Sequence, residues 1–140
     1  MIDIQMAEST RKTSGKPPVV LVVEDEPLVR MVAVEYLASL GYSVLEAGGA
    51  EEAIDALMDH PVDLVFSDVQ MPGIMDGNEL AEWIEINFPN VPVVLTSGKS
   101  VDLGHGVGGL LRKPYYFETL KGRIDQALLT PPRRGSDPVW

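Results

Sequence analysis

Short apolar runs alternate with longer stretches of helical periodicity along the middle of the chain. Five runs predict β-strands, at residues 19–23, 43–46, 62–66, 91–95 and 109–112. The first run has no polar break, which is typical of a strand covered by helices on both faces of its sheet. The alternation indicates β-α-β units, so we expect an α/β fold built on a parallel sheet.

Apolar residues at helical spacing predict helices between these strands. The first helix covers 28–40, where apolar positions recur every four residues, at Leu28, Val32, Tyr36 and Leu40, with Met31 beside them. Others are expected from Ala50 to the residue before Pro61, near 78–88, and from Phe117 to Leu128. Residues 98–109 are rich in glycine, and each interior Gly costs about 1 kcal/mol relative to Ala. A fourth helix there is expected to be short or irregular.

The 140-residue length fits a single domain. The first 17 residues and residues 130–140 are polar and rich in turn formers. We therefore expect a disordered leader over 1–17, one folded domain over 18–129 and a flexible tail over 130–140.

Charge and cysteine content exclude several classes of function. The chain carries 21 acidic against 11 Lys and Arg residues, a formal net charge of −10, which disfavours binding to nucleic-acid phosphates. It has no cysteine, which excludes disulfides and thiolate sites and is compatible with a reducing compartment. No secretory signal or bilayer-length apolar run is present. A cytoplasmic protein with protein partners, away from membranes and nucleic acid, is the expectation.

Chemically active side chains follow four of the predicted strands: Glu24, Asp25 and Glu26 the first, Asp68 the third, Thr96 and Ser97 the fourth, and Lys113 the fifth. The carboxyl ends of parallel strands meet at one edge of a sheet, so these groups should converge. Converging carboxylates repel one another unless a cation neutralises them, and an all-oxygen donor set favours Mg²⁺. Lys113 could pair with one phosphoryl oxygen, and the Thr96 hydroxyl could donate a hydrogen bond to another. The Asp68 carboxylate could act as the nucleophile.

Each residue also has a structural interpretation when taken alone. Asp25 could cap the first helix, Asp68 could be a loop acid, Thr96 an ordinary strand residue and Lys113 a solvated charge. Their joint position at four strand ends is harder to explain by structure alone. The histidines His60 and His105, and the tail with Arg133, Arg134 and Trp140, are expected to be solvated surface groups.

The four segments together resemble the receiver domains of two-component response regulators, over roughly residues 18–129. The resemblance rests on the acidic pair within Val22-Val23-Glu24-Asp25-Glu26-Pro27, the loop Asp68-Val69-Gln70-Met71-Pro72-Gly73, the hydroxyl in Leu95-Thr96-Ser97-Gly98, and Arg112-Lys113-Pro114. It implies a flavodoxin-like doubly wound sheet of five parallel strands in the order 2-1-3-4-5.

The resemblance also implies roles for these residues. Asp68 would accept the phosphoryl group from a histidine kinase or a histidine phosphotransfer protein. Mg²⁺ would be bound by the carboxylates of Asp25 and Asp68 and the main-chain carbonyl of Gln70, with Glu24 acting through a water. Thr96 and Lys113 would contact the phosphoryl group, and a cis bond would precede Pro114. The output would be contact with a downstream protein, and no enzyme activity beyond self-directed phosphotransfer and slow autodephosphorylation is implied.

The chain departs from the family pattern at three places. Glu24 stands where Asp is commoner, the loop after Asp68 is one residue longer, and Leu110 replaces the usual switch aromatic. Without that aromatic, we hypothesise that ordering or displacement of residues 99–109 carries the signal, with Tyr115 and Tyr116 packing at the start of the last helix.

Three other interpretations remain open. The chain could be the receiver fragment of a hybrid histidine kinase, or an inert pseudo-receiver. A phosphatase of the haloacid dehalogenase type also uses Asp, Mg²⁺ and Lys. It requires an acid two residues after the nucleophile, where this chain has Gln70.

Overall fold

Five parallel strands form one sheet at the centre of the molecule. The computed structural model describes residues 15–98 and 107–129. The strands are β1 (Val19–Val23), β2 (Ser43–Ala47), β3 (Leu64–Asp68), β4 (Val93–Ser97) and β5 (Val107–Arg112). They lie in the order β2-β1-β3-β4-β5, and every neighbouring pair is parallel. The expected doubly wound α/β architecture is therefore confirmed.

Four helices in the described residues cover the two faces of this sheet: α1 (Pro27–Ser39), α2 (Ala50–Asp59), α3 (Gly77–Asn87) and α4 (Phe117–Leu129). At the start of α3, the Asp76 side chain accepts from Glu79 N and the Glu79 side chain accepts from Asp76 N, which satisfies two free backbone donors. The irregular helix expected between β4 and β5 falls mainly on residues 99–106, outside the described part of the chain. None of the described helices has the length and apolar character needed to cross a membrane.

The sheet separates two apolar cores. Alternate residues of β1 point to opposite faces, so Val20 and Val22 pack with α1 and α4, whereas Leu21 and Val23 pack with α2 and α3. Leu37 on α1 and Leu80 on α3 are fully buried in the two cores. Because helices pack on both faces of the sheet, the strands fix the positions of the functional side chains at their carboxyl ends.

Helix α1 turns a different face to the sheet from the one its strongest apolar repeat suggests. Ala33 and Leu37 are its buried residues. By contrast, Leu28 is 72% and Val32 is 46% exposed. Apolar residues occur on most sides of this helix, so the four-residue repeat could not identify the buried side.

Two strands begin and end two residues later than their apolar runs suggest. β3 extends through Ser67 to Asp68, and β4 extends through Thr96 to Ser97. These last residues are polar yet buried, so hydrophobicity ended the predicted strands too early. The proposed site residues Asp68 and Thr96 thus belong to the strands themselves.

Candidate functional site

Three carboxylates meet at the carboxyl ends of β1 and β3. One carboxylate oxygen each from Glu24, Asp25 and Asp68 lies within 4.8 Å of the others. The parallel pairing of β1 with β3, with Val23 opposite Ser67, brings the residues that follow Val23 beside Asp68. Glu24 and Asp68 are each only 6% exposed. The sequence therefore correctly indicated that these three acids are neighbours.

Lys113 extends from the end of β5 into the same pocket. Its Nζ lies 3.1 Å from Asp68 Oδ2 and 3.7 Å from Glu24 Oε1. The Lys113 N–H donates to the Ser97 carbonyl at 3.0 Å, which attaches the residue to the end of β4. The Lys113–Pro114 peptide bond is cis, as the resemblance implied.

Burial and charge both change the ionisation of these groups. Burial raises the pKa of the Glu24 carboxyl, the hydrogen bond from Glu26 N opposes this, and the charge of Asp68 adds to the rise. Burial alone would lower the pKa of Lys113, but its hydrogen bond to Asp68 and the two nearby carboxylates raise it overall. Burial, followed by the charges of Glu24 and Asp68, raises the pKa of Tyr115 to about 12. The pocket thus holds more negative charge than Lys113 compensates.

Thr96 lies beside Asp68 in the register of β3 and β4, so the two side chains leave the sheet on the same face. Its hydroxyl oxygen is buried and has no hydrogen-bond partner among the described residues. A buried polar atom without a partner is unfavourable, typically by about 1–3 kcal/mol. The hydroxyl is therefore suited to an oxygen atom that enters the pocket with a ligand.

The loop after Asp68 returns closely to the end of β3. Gln70 N lies 3.3 Å from Asp68 Oδ1, and Ser97 Oγ donates to Gln70 Oε1 at 2.8 Å. Gly77 N donates to the Val69 carbonyl at 2.9 Å. A Cβ on Gly77 would lie 2.1 Å from the Asp68 carbonyl oxygen, so only glycine permits this approach. The position of Gly77 was not recognised from the sequence, because the contact depends on the path of the whole loop.

Arg30 is a second residue that the sequence did not identify. It lies on α1, 23% exposed, and its Nη1 donates to the Glu24 carbonyl at 2.7 Å. Its Nε lies 3.1 Å from Glu46 Oε1 on β2. Arginine is common on helix surfaces, so its residue type alone carried no signal.

The remaining candidates separate into site and surface residues. The N-cap of α1 is Glu26, without a side-chain capping bond, so Asp25 is not needed as the cap. His60 is exposed, as expected of a surface histidine. Tyr115 packs its ring edge-on against Phe66, whereas Tyr116 is 78% exposed. His105, the tail residues and most of the 99–109 segment lie outside the described residues.

The donor atoms at the pocket fit a hard divalent cation. Glu24, Asp25 and Asp68 supply carboxylate oxygens within 4.8 Å of one another. Oxygen ligands are those that Mg²⁺ prefers. A cation among them would also offset the carboxylate charge that Lys113 leaves uncompensated.

Comparison with protein families gives a match to the response regulator receiver domain over residues 20–125. Among solved structures, the receiver domain of the hybrid histidine kinase CckA is 41% identical, with 79% of this chain and 98% of that chain covered and a TM-score of 0.67. The response regulator TrrA from Thermotoga maritima, solved in complex with Mg(2+)-BeF, is 30% identical over 79% and 98% of the two chains, with a TM-score of 0.73.

Two curated relatives are sensor kinases. The sensor histidine kinase RcsC of Salmonella typhimurium is 35% identical over 121 residues, which cover 81% of this chain. The autoinducer 1 sensor kinase/phosphatase LuxN of Vibrio campbellii is 32% identical over 113 residues, 77% of this chain. This chain spans 13% of the length of each of these relatives.

Proposed function

The chain belongs to the family of response regulator receiver domains, and from this premise we propose that Asp68 is its phosphoacceptor and that Mg²⁺ assists the transfer. The observation that supports this assignment best is the position of the Asp68 carboxylate. It is buried at the centre of the acid pocket, 3.1 Å from Lys113 Nζ. Lys113 Nζ and Gln70 N each contact one oxygen of this carboxylate, and the carboxylates of Glu24 and Asp25 lie beside it.

The transfer forms one bond and breaks one. A carboxylate oxygen of Asp68 attacks the phosphorus of a phosphohistidine, the nitrogen–phosphorus bond breaks, and the donor imidazole leaves with a proton from solvent. The product on this chain is an acyl phosphate. Lys113 stays beside the site and pairs with a phosphoryl oxygen, which holds the transferred charge in place.

Glu24, Asp25, Asp68 and the main-chain carbonyl of Gln70 would hold the metal. When bound, Mg²⁺ supplies positive charge that stabilises the phosphoryl oxygens. The buried Thr96 hydroxyl also supports the proposal, since it lacks a partner among the described residues and is suited to donate to a phosphoryl oxygen. Binding of the phosphoryl group would satisfy it.

The phosphoryl donor we propose is a histidine kinase or a histidine phosphotransfer protein. Such a donor has to cover the rim of the pocket in order to bring its histidine to Asp68. An open apolar groove of about 360 Å³ lies between α1 and the start of α4, lined by Leu28, Val29, Val32, Ala33, Tyr115 and Phe117. Tyr115 connects this groove to the acids, since, after burial, the charges of Glu24 and Asp68 contribute to its raised pKa. The groove offers an apolar surface to the donor directly beside the acids.

Beside a single-domain response regulator, a receiver portion of a hybrid histidine kinase is the second candidate. It is favoured by the CckA receiver structure and by the lengths of RcsC and LuxN, of which this chain spans only a small part. Both candidates use the same site chemistry, and we propose no enzyme activity beyond self-directed phosphotransfer and slow autodephosphorylation. The cytoplasmic location, the domain limits 18–129, the disordered leader 1–17 and the flexible tail 130–140 stay predictions, and residues 1–14 and 130–140 lie outside the described part of the chain.

Intact-mass measurement after incubation with Mg²⁺ and acetyl phosphate tests the assignment of Asp68. The wild type is expected to gain one phosphoryl adduct, and Asp68→Asn none. Asp59→Asn, which removes an exposed acid at the end of α2, serves as the matched control and should gain the adduct. Chelation of Mg²⁺ should suppress labelling. An adduct of equal yield in Asp68→Asn would overturn the assignment.

A further inference from the structure

Arg30 joins three elements immediately behind the acid pocket. It lies on α1, its Nη1 donates to the carbonyl of Glu24 at 2.7 Å, and its Nε pairs with Glu46 on β2 at 3.1 Å. Glu46 lies opposite Val22 in the pairing of β1 with β2. The guanidinium therefore bridges the end of β1 to its neighbouring strand and to the helix that follows.

The carbonyl of Glu24 belongs to the peptide unit that continues to Asp25. Because a peptide unit is planar, fixing its oxygen also fixes the direction in which the chain enters Asp25. The other side of Glu24 is held as well, since its N–H donates to the Ala47 carbonyl at 3.0 Å. Its side chain accepts from Glu26 N at 3.2 Å. The hydrogen bond from Arg30 is therefore a third restraint on the segment from Glu24 to Glu26.

A contribution to stability alone does not explain this arrangement well. Glu46 is 53% exposed and Arg30 23% exposed, and ion pairs in contact with solvent contribute little, typically less than about 1 kcal/mol. The bond to the Glu24 carbonyl has a clearer local consequence, because it acts on the two acids that face Asp68.

We propose that Arg30 is a positioning residue for the metal site, which holds the Glu24–Asp25 peptide so that both carboxylates face Asp68, with Glu46 orienting Arg30. This inference rests on the proposed function, since it assumes that these acids bind Mg²⁺. Residues that orient metal ligands typically change metal affinity by about 10–100-fold when they are substituted.

The proposed positioning role of Arg30 favours Mg²⁺ binding, whereas its positive charge opposes it. This difference makes the proposal testable. Arg30 is a cation near a cation site, so its charge alone opposes Mg²⁺. If only charge mattered, Arg30→Met would bind Mg²⁺ more tightly than the wild type. Loss of positioning predicts weaker binding, with a dissociation constant raised by roughly tenfold.

Titration calorimetry with MgCl₂ on the full chain separates these outcomes. Arg30→Lys keeps the charge, but one ammonium does not reproduce the fork of a guanidinium, so its affinity should fall several-fold. A charge effect alone would leave Arg30→Lys equal to the wild type. If Arg30→Met fails to fold, Arg30→Lys alone still tests the proposal. Glu46→Gln should weaken binding in the wild-type background and have no further effect beside Arg30→Met.

Arg123→Met is the matched control. Arg123 Nη1 also donates to a main-chain carbonyl, that of Leu110, at 2.8 Å, but it lies on α4 and contacts none of the acids in the described structure. Its Mg²⁺ affinity should equal that of the wild type. As a local readout, the amide heteronuclear NOE of Asp25 should fall in metal-free Arg30→Met and stay unchanged in Arg123→Met.

The outcomes for the two proposals differ. Absence of Mg²⁺ binding in the wild type would refute the proposed metal site. Wild-type binding together with equal or tighter binding by Arg30→Met and Arg30→Lys would refute the role of Arg30 alone.

Discussion

Glu24 shows how one residue connects the chemistry of the pocket to the stability of the protein. Its carboxyl is almost fully buried, and burial is the main cause of its raised pKa. A raised pKa means that the folded state binds a proton more strongly than the unfolded state does. This contribution to stability is complete below the ordinary value of 4.5 and is lost as the pH rises through the raised pKa. At neutral pH and without metal, the ionised Glu24 therefore opposes folding.

Replacement of Glu24 by Gln should accordingly stabilise the metal-free protein at pH 7. The amide can still accept the hydrogen bond from Glu26 N, but it carries no buried charge. The advantage over the wild type should shrink towards zero as the pH falls below about 4, because Glu24 is then protonated. Urea unfolding in the presence of a chelator, at pH 7 and at the lower pH, measures the free energy of unfolding of both proteins.

Addition of Mg²⁺ should reverse the order at neutral pH, because the wild type gains more binding energy. Exposed Glu82→Gln on α3 is the control and should change stability little at either pH. If the wild type is more stable than Glu24→Gln at pH 7 without metal, burial is not the dominant influence on the pKa of Glu24.

The convergence of the acids and Lys113 could be predicted from residue type and position, because parallel strands present their carboxyl ends at one edge. Gly77 and Arg30 could not be predicted in the same way. Gly77 matters because its Cα passes close to the Asp68 carbonyl, and Arg30 because it reaches a carbonyl on another element. Both contacts involve backbone atoms, which every residue has, so no pattern of side chains marks them.

At the scale of elements, α1 has one face in the core and a largely apolar face in solvent. Its exposed residues Leu28, Val29 and Val32 line a groove together with Tyr115 and Phe117 at the start of α4. Helix periodicity predicted that α1 exists and about where it ends. It could not predict the orientation of α1, because apolar residues lie on both faces. The apolar runs placed the ends of β3 and β4 two residues early, since the buried polar residues Ser67 and Ser97 interrupt the hydrophobic pattern.

Leu28→Asp should separate docking of the phosphoryl donor from the chemistry of the site. Leu28 is 72% exposed, so the substitution should leave the fold and labelling by acetyl phosphate unchanged. Transfer from a phosphorylated histidine phosphotransfer protein that labels the wild type should slow by roughly tenfold, as expected for the loss of an apolar interface contact. Radiolabel transfer time courses provide the measurement.

Met58→Asp is the control for this experiment, because Met58 is 68% exposed on α2, on the opposite face of the sheet. Its transfer rate should match that of the wild type. Equal slowing in both variants, or none in Leu28→Asp, would argue against the groove as the docking surface.

At the scale of the whole molecule, the site depends on both cores together. β1 and β3 carry the acids at their ends and send alternate side chains into the core beside α1 and α4 and the core beside α2 and α3. Neither core can therefore be lost without releasing strands that hold the acid pocket. The fold should unfold as one cooperative unit, as is usual for a domain of this size.

Leu37→Ala and Leu80→Ala test this coupling from opposite faces of the sheet. Both side chains are fully buried, and each truncation should lower the free energy of unfolding by about 3 kcal/mol, whereas Leu28→Ala at the surface should change it by less than about 0.5 kcal/mol. Mg²⁺ at a hundred times its dissociation constant should restore about 2.7 kcal/mol. If both cores and the site unfold as one cooperative unit, this increment is the same in the wild type and in both core variants, measured by urea unfolding with and without Mg²⁺. An increment that disappears in only one variant would mean that the acid pocket depends on a single face of the sheet.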